Sequence, residues 1–312
     1  MNLLKTALSA AVAIGIASTA FAEFPEKPIN VVVGFRAGGG SDTAARIVAA
    51  ELEKALGQEV IVENRGGAGG GVAAAWLKEQ PADGYTIGFA VATTFAFDPL
   101  LGSVQHGIGD FSYLAGVAGY RSVFTAPVDA PFEDFQGMLA HAKERGWLNY
   151  ASIIPLDRKI MEFIGKKEEL PINVVPTRGG AGARQAVLGG HVDLGFSGSN
   201  AIPMHTDGAL RILAAGVPDG LTELPDVPSL KDLGYEVYTS NYMVFFGPPD
   251  MDEGVRAKLE SALLTAAKSD AFVEFVTEKF RGREVGMTGP ELQAELERQS
   301  GDYEALLKTL EE

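Results

Sequence analysis

Ile29-Asn-Val-Val-Val-Gly-Phe-Arg-Ala-Gly-Gly-Gly-Ser-Asp-Thr-Ala-Ala-Arg46 sets the architecture of this chain, because it joins an apolar run to a glycine-rich loop and a helical pattern. The run 29–35 is typical of a strand buried on both faces. Residues 43–56 have helical spacing, with a cap expected at Ser41 or Asp42. The glycines leave backbone N–H groups bare at the start of this helix, which favours binding of an anion.

A second glycine-rich loop has the same context. It reads Val60-Ile-Val-Glu-Asn-Arg-Gly-Gly-Ala-Gly-Gly-Gly-Val-Ala-Ala-Ala75 and lies between a short strand and a helix. A third strand is predicted at 85–91. This β-α-β-α-β order indicates a parallel sheet with helices on its faces.

The alternation of helices and strands is predicted again between residues 132 and 216. A further glycine-rich loop there, Arg178-Gly-Gly-Ala-Gly182, precedes a helix. In the tail, helical spacing predicts helices at 253–268, 271–280 and 290–310. The chain is expected to cross between two lobes near Ser122 and near Tyr242, and two crossings would form a hinge.

The N-terminal residues have the pattern of an export signal. Lys5 supplies a positive charge, 7–20 is apolar and Ala20-Phe21-Ala22 is a small-x-small cleavage site. The apolar run is too short for a membrane anchor, and the cleavage site contains no Cys for lipidation. We expect cleavage after Ala22 and export to the periplasm.

The composition argues against nucleic acid and anionic lipid as partners and against thiolate chemistry. The chain has 26 Lys and Arg against 41 Asp and Glu, a net charge of −15, and no Cys. Nucleic-acid binding needs a basic face, which this composition does not favour. Docking on anionic lipid is disfavoured for the same reason, and thiolate chemistry is excluded.

Motifs for catalysis are incomplete. Gly69-x-Gly71-x-x-Ala74 matches only a loose dinucleotide pattern. Gly195-Phe-Ser197-Gly-Ser199 resembles a nucleophile elbow but ends in Ser where Gly is needed. No catalytic residue, metal site or cofactor is therefore predicted, and a secreted serine hydrolase using Ser197 is kept as an alternative. The histidines are scattered and lack metal-ligand spacing: His106, His141, His191 and His205.

Small and hydroxylated residues follow six predicted strands, where ligands gather in open α/β sheets. Such residues also form ordinary turns, but six clusters at equivalent strand ends favour binding. In the first lobe the clusters are 38–41, 67–70 and 93–94. In the second lobe they are Ser152, 177–180 and 197–200.

Three side chains near these clusters have two interpretations. Arg178 could contact a bound anion or form a surface ion pair. Asp42 is a helix cap or, if it faces the site, favours a ligand with an amine or hydroxyl donor. Phe35 lines the cleft or packs in the first lobe.

The same residues resemble a known family, the Bug-type substrate-binding proteins of tripartite tricarboxylate transporters. The resemblance spans the chain after the signal. It is carried by residues 28–46, Val62-Glu-Asn-Arg-Gly-Gly-Ala-Gly-Gly70, Pro81-Ala-Asp-Gly-Tyr-Thr86, Leu188-Gly-Gly-His-Val-Asp-Leu194 and Leu224-Pro-Asp-Val-Pro-Ser-Leu-Lys-Asp-Leu-Gly-Tyr235.

The resemblance implies an α/β, two-lobed periplasmic binding protein, type II-like, in which each lobe is a mixed, mostly parallel sheet flanked by helices. Residues 1–22 would be the signal, 23–122 with 242–312 the first lobe, and 123–241 the second. The protein would be a monomer that closes on an organic carboxylate and delivers it to membrane permease subunits. The predicted ligand-binding residues are Phe35, Gly38, Gly39, Gly40, Ser41, Asp42, Ala68, Gly69, Gly70, Thr93, Thr94, Ser152, Thr177, Arg178, Gly179, Gly180 and Ser197.

The chain departs from the family pattern in the second lobe. Many members have a Gly/Ser-rich loop where this chain has Ala151-Ser-Ile-Ile-Pro-Leu-Asp157, and Thr177 stands where an aromatic residue is common. Both changes affect the far end of the ligand. A dicarboxylate is the predicted ligand, and an aromatic carboxylate or an acidic amino acid is the alternative.

Overall fold

The computed structural model describes residues 24–177 and 180–311. The predicted signal at 1–22 and the loop residues Arg178 and Gly179 lie outside the described residues. The strands are β1 Ile29–Val33, β2 Val60–Asn64, β3 Thr86–Val91, β4 Ser112–Gly119, β5 Ser122–Pro127, β6 Leu148–Ser152, β7 Ile172–Pro176, β8 Leu194–Gly198, β9 Leu210–Ala215, β10 Tyr242–Gly247 and β11 Arg283–Thr288. The helices are α1 Gly40–Leu56, α2 Gly71–Leu77, α3 Thr93–Ala96, α4 Phe135–Arg145, α5 Pro155–Lys167, α6 Gly180–Leu188, α7 Ala201–Thr206, α8 Glu253–Ala266, α9 Asp270–Glu274 and α10 Gly289–Glu311.

The strands form two mixed sheets, which confirms the predicted two-lobed α/β fold. The first sheet has the order β11-β4-β10-β3-β1-β2, and the second has the order β7-β6-β8-β5-β9. β1 pairs in parallel with β2 and β3, as the β-α-β-α-β pattern predicts, and β6 pairs in parallel with β7 and β8. The pairings that involve β10, β4 and β5 are antiparallel. Parallel pairings are thus grouped on one side of each sheet and do not outnumber antiparallel ones.

The chain passes between the sheets along two neighbouring segments. It leaves the first sheet after Gly119 and enters the second at Ser122, and it returns between Ala215 and Tyr242. The segments are joined by backbone hydrogen bonds, from Tyr120 N–H to the Asn241 carbonyl at 2.9 Å and from Gly216 N–H to the Ser122 carbonyl at 2.7 Å. The lobes are therefore connected by two adjacent, hydrogen-bonded chain segments.

Hydrophobic packing also joins the lobes beside these segments. One cluster of buried residues contains Phe97 and Phe246 of the first lobe together with Phe124 and Tyr150 of the second. α10 lies across both lobes, since Tyr303 packs edge-on against Phe97 with ring centres 5.4 Å apart and the helix also contacts α5. In residues 24–177 and 180–311, no helix is both long enough and apolar enough to span a bilayer.

The start of α1 differs from the sequence prediction. Neither Ser41 nor Asp42 caps the helix; Gly39 holds the N-cap position in an extended conformation, without a side-chain cap. The Asp42 carboxylate instead accepts a hydrogen bond from Gly38 N–H at 2.9 Å. The predicted cap is therefore wrong, because glycine lets the helix begin earlier and leaves Asp42 free to bind the loop before it.

The packing of β3 allows a direct test of the fold. A Cβ on Gly88 would lie 2.4 Å from Phe246 Cζ on β10 and 2.8 Å from Leu77 Cδ2 on α2. We expect Gly88→Ala to destabilise the protein by about 1–3 kcal/mol, because both buried side chains must move to admit the methyl group. Urea unfolding followed by circular dichroism measures the change.

The control is Gly286→Ala on β11, since a Cβ there meets nothing within 4 Å. Its free energy of unfolding should stay within about 0.5 kcal/mol of the unmodified protein. Equal unfolding midpoints for the two variants would contradict the packing described for Gly88.

Candidate functional site

A cavity of about 740 Å³ lies between the two lobes. Its volume is in the range of small-molecule binding pockets. The first lobe contributes the start of α1 and the turn around Gly69, and the second contributes Ile153–Leu156 and the start of α6. The cavity therefore lies where the strand ends of both lobes were predicted to meet.

The N-terminus of α1 forms one wall of the cavity. The wall consists of Gly38, Gly39, Gly40 and Ser41. No side chain caps this 17-residue helix, so its first N–H groups are available for hydrogen bonds to a ligand. Gly38 has a φ of 82°, a conformation that favours glycine. A free helix N-terminus beside a cavity favours binding of an anion.

Asp42 lies behind this wall and holds its shape. Its side chain is 3% exposed and accepts hydrogen bonds from Gly38 N–H, from Asn64 Nδ2 at 2.8 Å and from Arg46 Nε at 3.1 Å. Burial raises the pKa of Asp42, but these hydrogen bonds and the Arg46 charge outweigh burial and hold the pKa below its ordinary value. Asp42 does not line the cavity, so its carboxylate positions the loop.

The second glycine-rich loop contributes one residue to the cavity surface. Gly69 lines the cavity, whereas Ala68 and Gly70 do not. The buried Thr94 supports this turn, because its Oγ1 donates a hydrogen bond to the Gly69 carbonyl at 2.7 Å. Thr93 lines the cavity, and its N–H donates to Asn241 Oδ1 at 3.2 Å.

The second lobe presents an apolar wall. Residues 153–156 and Phe196 line it, beside Gly180 at the start of α6. Phe35 lines the opposite side of the cavity and also packs against the hydrophobic core of the first lobe, so both of its interpretations hold. The unusual segment of the second lobe thus faces the ligand space with hydrocarbon.

Three residues predicted in the second lobe lie behind this wall. Ser152 is buried and donates to the Ile154 carbonyl at 3.4 Å, and Thr177 Oγ1 donates to the Ser152 carbonyl at 2.9 Å. Ser197 is fully buried, and no described residue bonds to its Oγ. None of the three lines the cavity, so their role as ligand contacts stays a prediction. Arg178 and Gly179 are outside the described residues.

Sequence reasoning missed the charged side chains of the cavity. Arg184 lies one turn after Gly180 on α6, and its Nη1 donates to Asn200 Oδ1 at 2.9 Å. Burial lowers the pKa of Arg184, and no described acidic side chain pairs with it. Arg121 also lines the cavity but forms an ion pair with Glu223. The spacing of Arg184 from Gly180 was the available signal, because residues four apart share a helix face.

Asp98 is the one carboxylate among the described residues of the cavity wall. It follows α3, is 8% exposed and has a pKa raised by burial to about 7. No group of His, Asp and Glu in the described ranges is arranged to hold a metal ion. Among the described residues, the site therefore combines a helix N-terminus, one cation without an acidic partner, one carboxylate and an apolar wall.

Comparison with known proteins gives a consistent result. Residues 44–288 match the family described as "Tripartite tricarboxylate transporter family receptor". A relative from Cupriavidus necator, "UPF0065 protein in gbd 5'region", is 31% identical over 247 residues, 78% of this chain and 76% of the relative. "Protein BugT" of Bordetella pertussis is 29% identical over 269 residues, 83% of this chain and 82% of that protein.

Two solved structures share the fold. "R. palustris Rpa4515 with adipate" has a TM-score of 0.80 at 22% identity and covers 93% of this chain and 99% of that chain. "MatC (Rpa3494) from Rhodopseudomonas palustris with bound malate" has a TM-score of 0.76 at 23% identity and covers 91% and 100%. At these identities the likeness shows the fold.

The raised pKa of Asp98 predicts a pH-dependent stability. Its pKa is about 7 in the folded protein and about 3.9 when unfolded, so the folded state binds more protons between these values. The contribution of Asp98 to stability is therefore lost as pH rises from about 4 to about 7. We expect Asp98→Asn to raise the melting temperature by several degrees at pH 8 and by much less at pH 4, as measured by calorimetry.

Asp129→Asn is the matched control, because Asp129 is exposed. Its melting temperature should follow that of the unmodified protein across the pH range. A constant offset between Asp98→Asn and the unmodified protein from pH 4 to 8 would contradict a shifted pKa at this site.

Proposed function

The chain belongs to the tripartite tricarboxylate transporter family of receptors, and we propose that it binds an organic dicarboxylate between its lobes and delivers it to membrane permease subunits. The cavity with the open N-terminus of α1 on one side and Arg184 on the other carries this proposal. A carboxylate held there would gain the helix dipole and a charged hydrogen bond together.

The protein is a receptor of Bug type and not an enzyme, as its family and relatives show. The alternative of a secreted serine hydrolase is therefore wrong. The structure gives a physical reason, because a nucleophilic serine needs a base within hydrogen-bond reach and access to substrate. Ser197 Oγ has no bonding partner in the described ranges and does not line the cavity.

We propose that ligand binding closes the lobes about the double connection at 119–122 and 239–242. The hydrogen bond between Tyr120 and Asn241 would hold the two connecting segments together during rotation. Lobe boundaries of 23–122 with 242–312 and 123–241 are part of this proposal. Closure would bring Arg184 toward the α1 N-terminus and sequester the ligand from water.

Solved structures with a similar fold support the proposed ligand class. Two solved structures with this fold contain adipate and malate, which are both dicarboxylates. The apolar wall at 153–156 also suits one alternative, an aromatic carboxylate, and an acidic amino acid stays the other alternative. We propose that Phe35, 38–41, Gly69, Thr93 and Gly180 contact the ligand.

Family receptors are periplasmic. We propose that this chain reaches the periplasm by cleavage after Ala22 and acts there as a monomer. The family's description as a receptor of tripartite transporters supports the proposed delivery to permease subunits. Transport assays with the matching permease genes test delivery separately from binding.

Binding is tested by thermal shift and calorimetry against dicarboxylates, aromatic acids and amino acids. A ligand that binds only the folded protein raises the melting temperature. We expect Arg184→Gln to weaken binding about tenfold or more, because a charged hydrogen bond to a carboxylate is lost.

Arg256→Gln is the control, because Arg256 on α8 lies outside this cavity. Its affinity should equal that of the unmodified protein. Absence of a thermal shift with every acid would contradict the proposal, as would equal affinities for the two arginine variants.

A further inference from the structure

Asp98 occupies an unusual position in the cavity wall. It begins the short 3₁₀ turn 98–101 after α3, and its side chain is 8% exposed. Its Oδ2 lies 2.9 Å from the place that a Cβ on Gly69 would take. The absence of a side chain at Gly69 therefore makes room for the carboxylate beside the second glycine-rich loop.

The carboxylate of Asp98 has no structural partner. No described residue donates a hydrogen bond to it, and Ser103 Oγ bonds to its backbone carbonyl instead, at 3.0 Å. Other buried acids in this protein are satisfied: Asp42 accepts from Gly38, Asn64 and Arg46, and Asp157 accepts from Tyr150 and two backbone N–H groups. A buried carboxylate costs stability unless it is hydrogen-bonded, so folding alone does not explain Asp98.

The other charged side chains among the described residues of the cavity wall are three cations. Arg121 is paired with Glu223, and Lys279 is paired with Glu274 at 3.0 Å. Arg184 has the neutral Asn200 as its hydrogen-bond partner. In the described part of the cavity, one cation and one carboxylate thus have no partner of opposite charge.

We propose that Asp98 is a specificity-determining residue that accepts a hydrogen bond from an amino or hydroxyl group on the ligand, so that the preferred ligand is an amino- or hydroxy-carboxylate. This inference rests on the proposed function, because the carboxylate of the same ligand binds at the α1 N-terminus or at Arg184. An amine would add a charge-assisted hydrogen bond to Asp98 and is preferred over a hydroxyl.

The same geometry disfavours a ligand without a donor. Above about pH 7, where Asp98 is ionised, a plain dicarboxylate would leave its carboxylate without a donor in a closed cleft, and a second ligand charge near it would be repelled. Sites built to hydrogen-bond a polar group reject analogues that lack it far more strongly than apolar pockets reject a missing methylene. Asp98 therefore selects ligands by the substituent next to the ligand carboxylate, and the apolar wall contacts the rest of the ligand.

Two matched series of acids test the proposal by calorimetry. Succinate, malate and aspartate share one carbon chain and differ in a hydrogen, hydroxyl or ammonium group. 3-Phenylpropanoate, 3-phenyllactate and phenylalanine repeat this comparison with an apolar body. In the series that binds, we expect the ammonium compound to bind about tenfold or more tightly than the compound without a donor, with the hydroxyl compound between them.

The variants Asp98→Asn and Asp98→Ala separate charge from hydrogen bonding. Asp98→Asn should lose the preference for ammonium over hydroxyl, and Asp98→Ala should lose both preferences. Asp129→Asn should leave all ratios unchanged, because that exposed side chain lies outside the cavity. Circular dichroism and melting temperature establish that each variant is folded.

Three results would decide against the inference. Equal affinity across a series in the unmodified protein would overturn it while the carboxylate receptor stands. Unchanged ratios in both Asp98 variants would overturn it in the same way, because the preference would then come from another residue. No binding by any compound would overturn the inference together with the proposed function.

Discussion

The hydrogen bond from Gly38 N–H to the Asp42 carboxylate is the interaction on which the binding cleft depends. Asp42 also accepts from Asn64 at the end of β2, so one buried carboxylate ties the loop, the helix and the neighbouring strand together. The helix itself begins without a side-chain cap, and its first N–H groups stay open toward the cavity. A capping side chain at Gly39 would occupy these donors. Asp42 thus holds the loop in place, while Gly39, which has no side chain to cap the helix, leaves the helix end open.

The second lobe lines the cavity with apolar side chains and one arginine, whereas the first lobe lines it with backbone N–H groups. Its wall at 153–156 is hydrocarbon, while its polar residues Ser152 and Thr177 bond to the backbone behind that wall. Its free charge is carried by Arg184 on α6. The first lobe therefore supplies backbone donors, and the second supplies shape and one guanidinium. Under the proposed function, a carboxylate would gain contacts from both surfaces only when they approach, so ligand binding would favour closure.

The alternation of apolar runs and glycine loops predicted the two-lobed fold, because parallel β-α-β units have a strong local signal. β4 escaped prediction since residues 112–119 are rich in glycine and alanine, which have low strand propensity, and this strand is buried by its neighbours. The expectation that ligands bind at strand ends selected Gly38 and Thr93, which line the cavity, and also Ser152 and Ser197, which lie behind its wall. Successive residues of a strand face opposite sides of the sheet, and position at a strand end does not tell which side faces the cavity. The helical spacing of Arg184 from Gly180 was an unused signal, whereas the place of Asp98 in the cavity wall became visible only in the folded structure.

An acidic receptor for an anion is physically consistent because the local field, not the net charge, acts on a ligand in a closed cleft. The net charge of −15 is spread over a solvated surface, where screening limits its reach to about 10 Å. Among the described residues inside the cleft, the field comes chiefly from the α1 dipole, Arg184 and Asp98. A carboxylate with a neighbouring hydrogen-bond donor would be attracted by the α1 N-terminus and Arg184 and would donate to Asp98. A simple anion would be attracted by the first two groups and repelled by an ionised Asp98. Under the proposed specificity, a hydrogen bond from the ligand to Asp98 would offset the stability that the burial of this carboxylate costs.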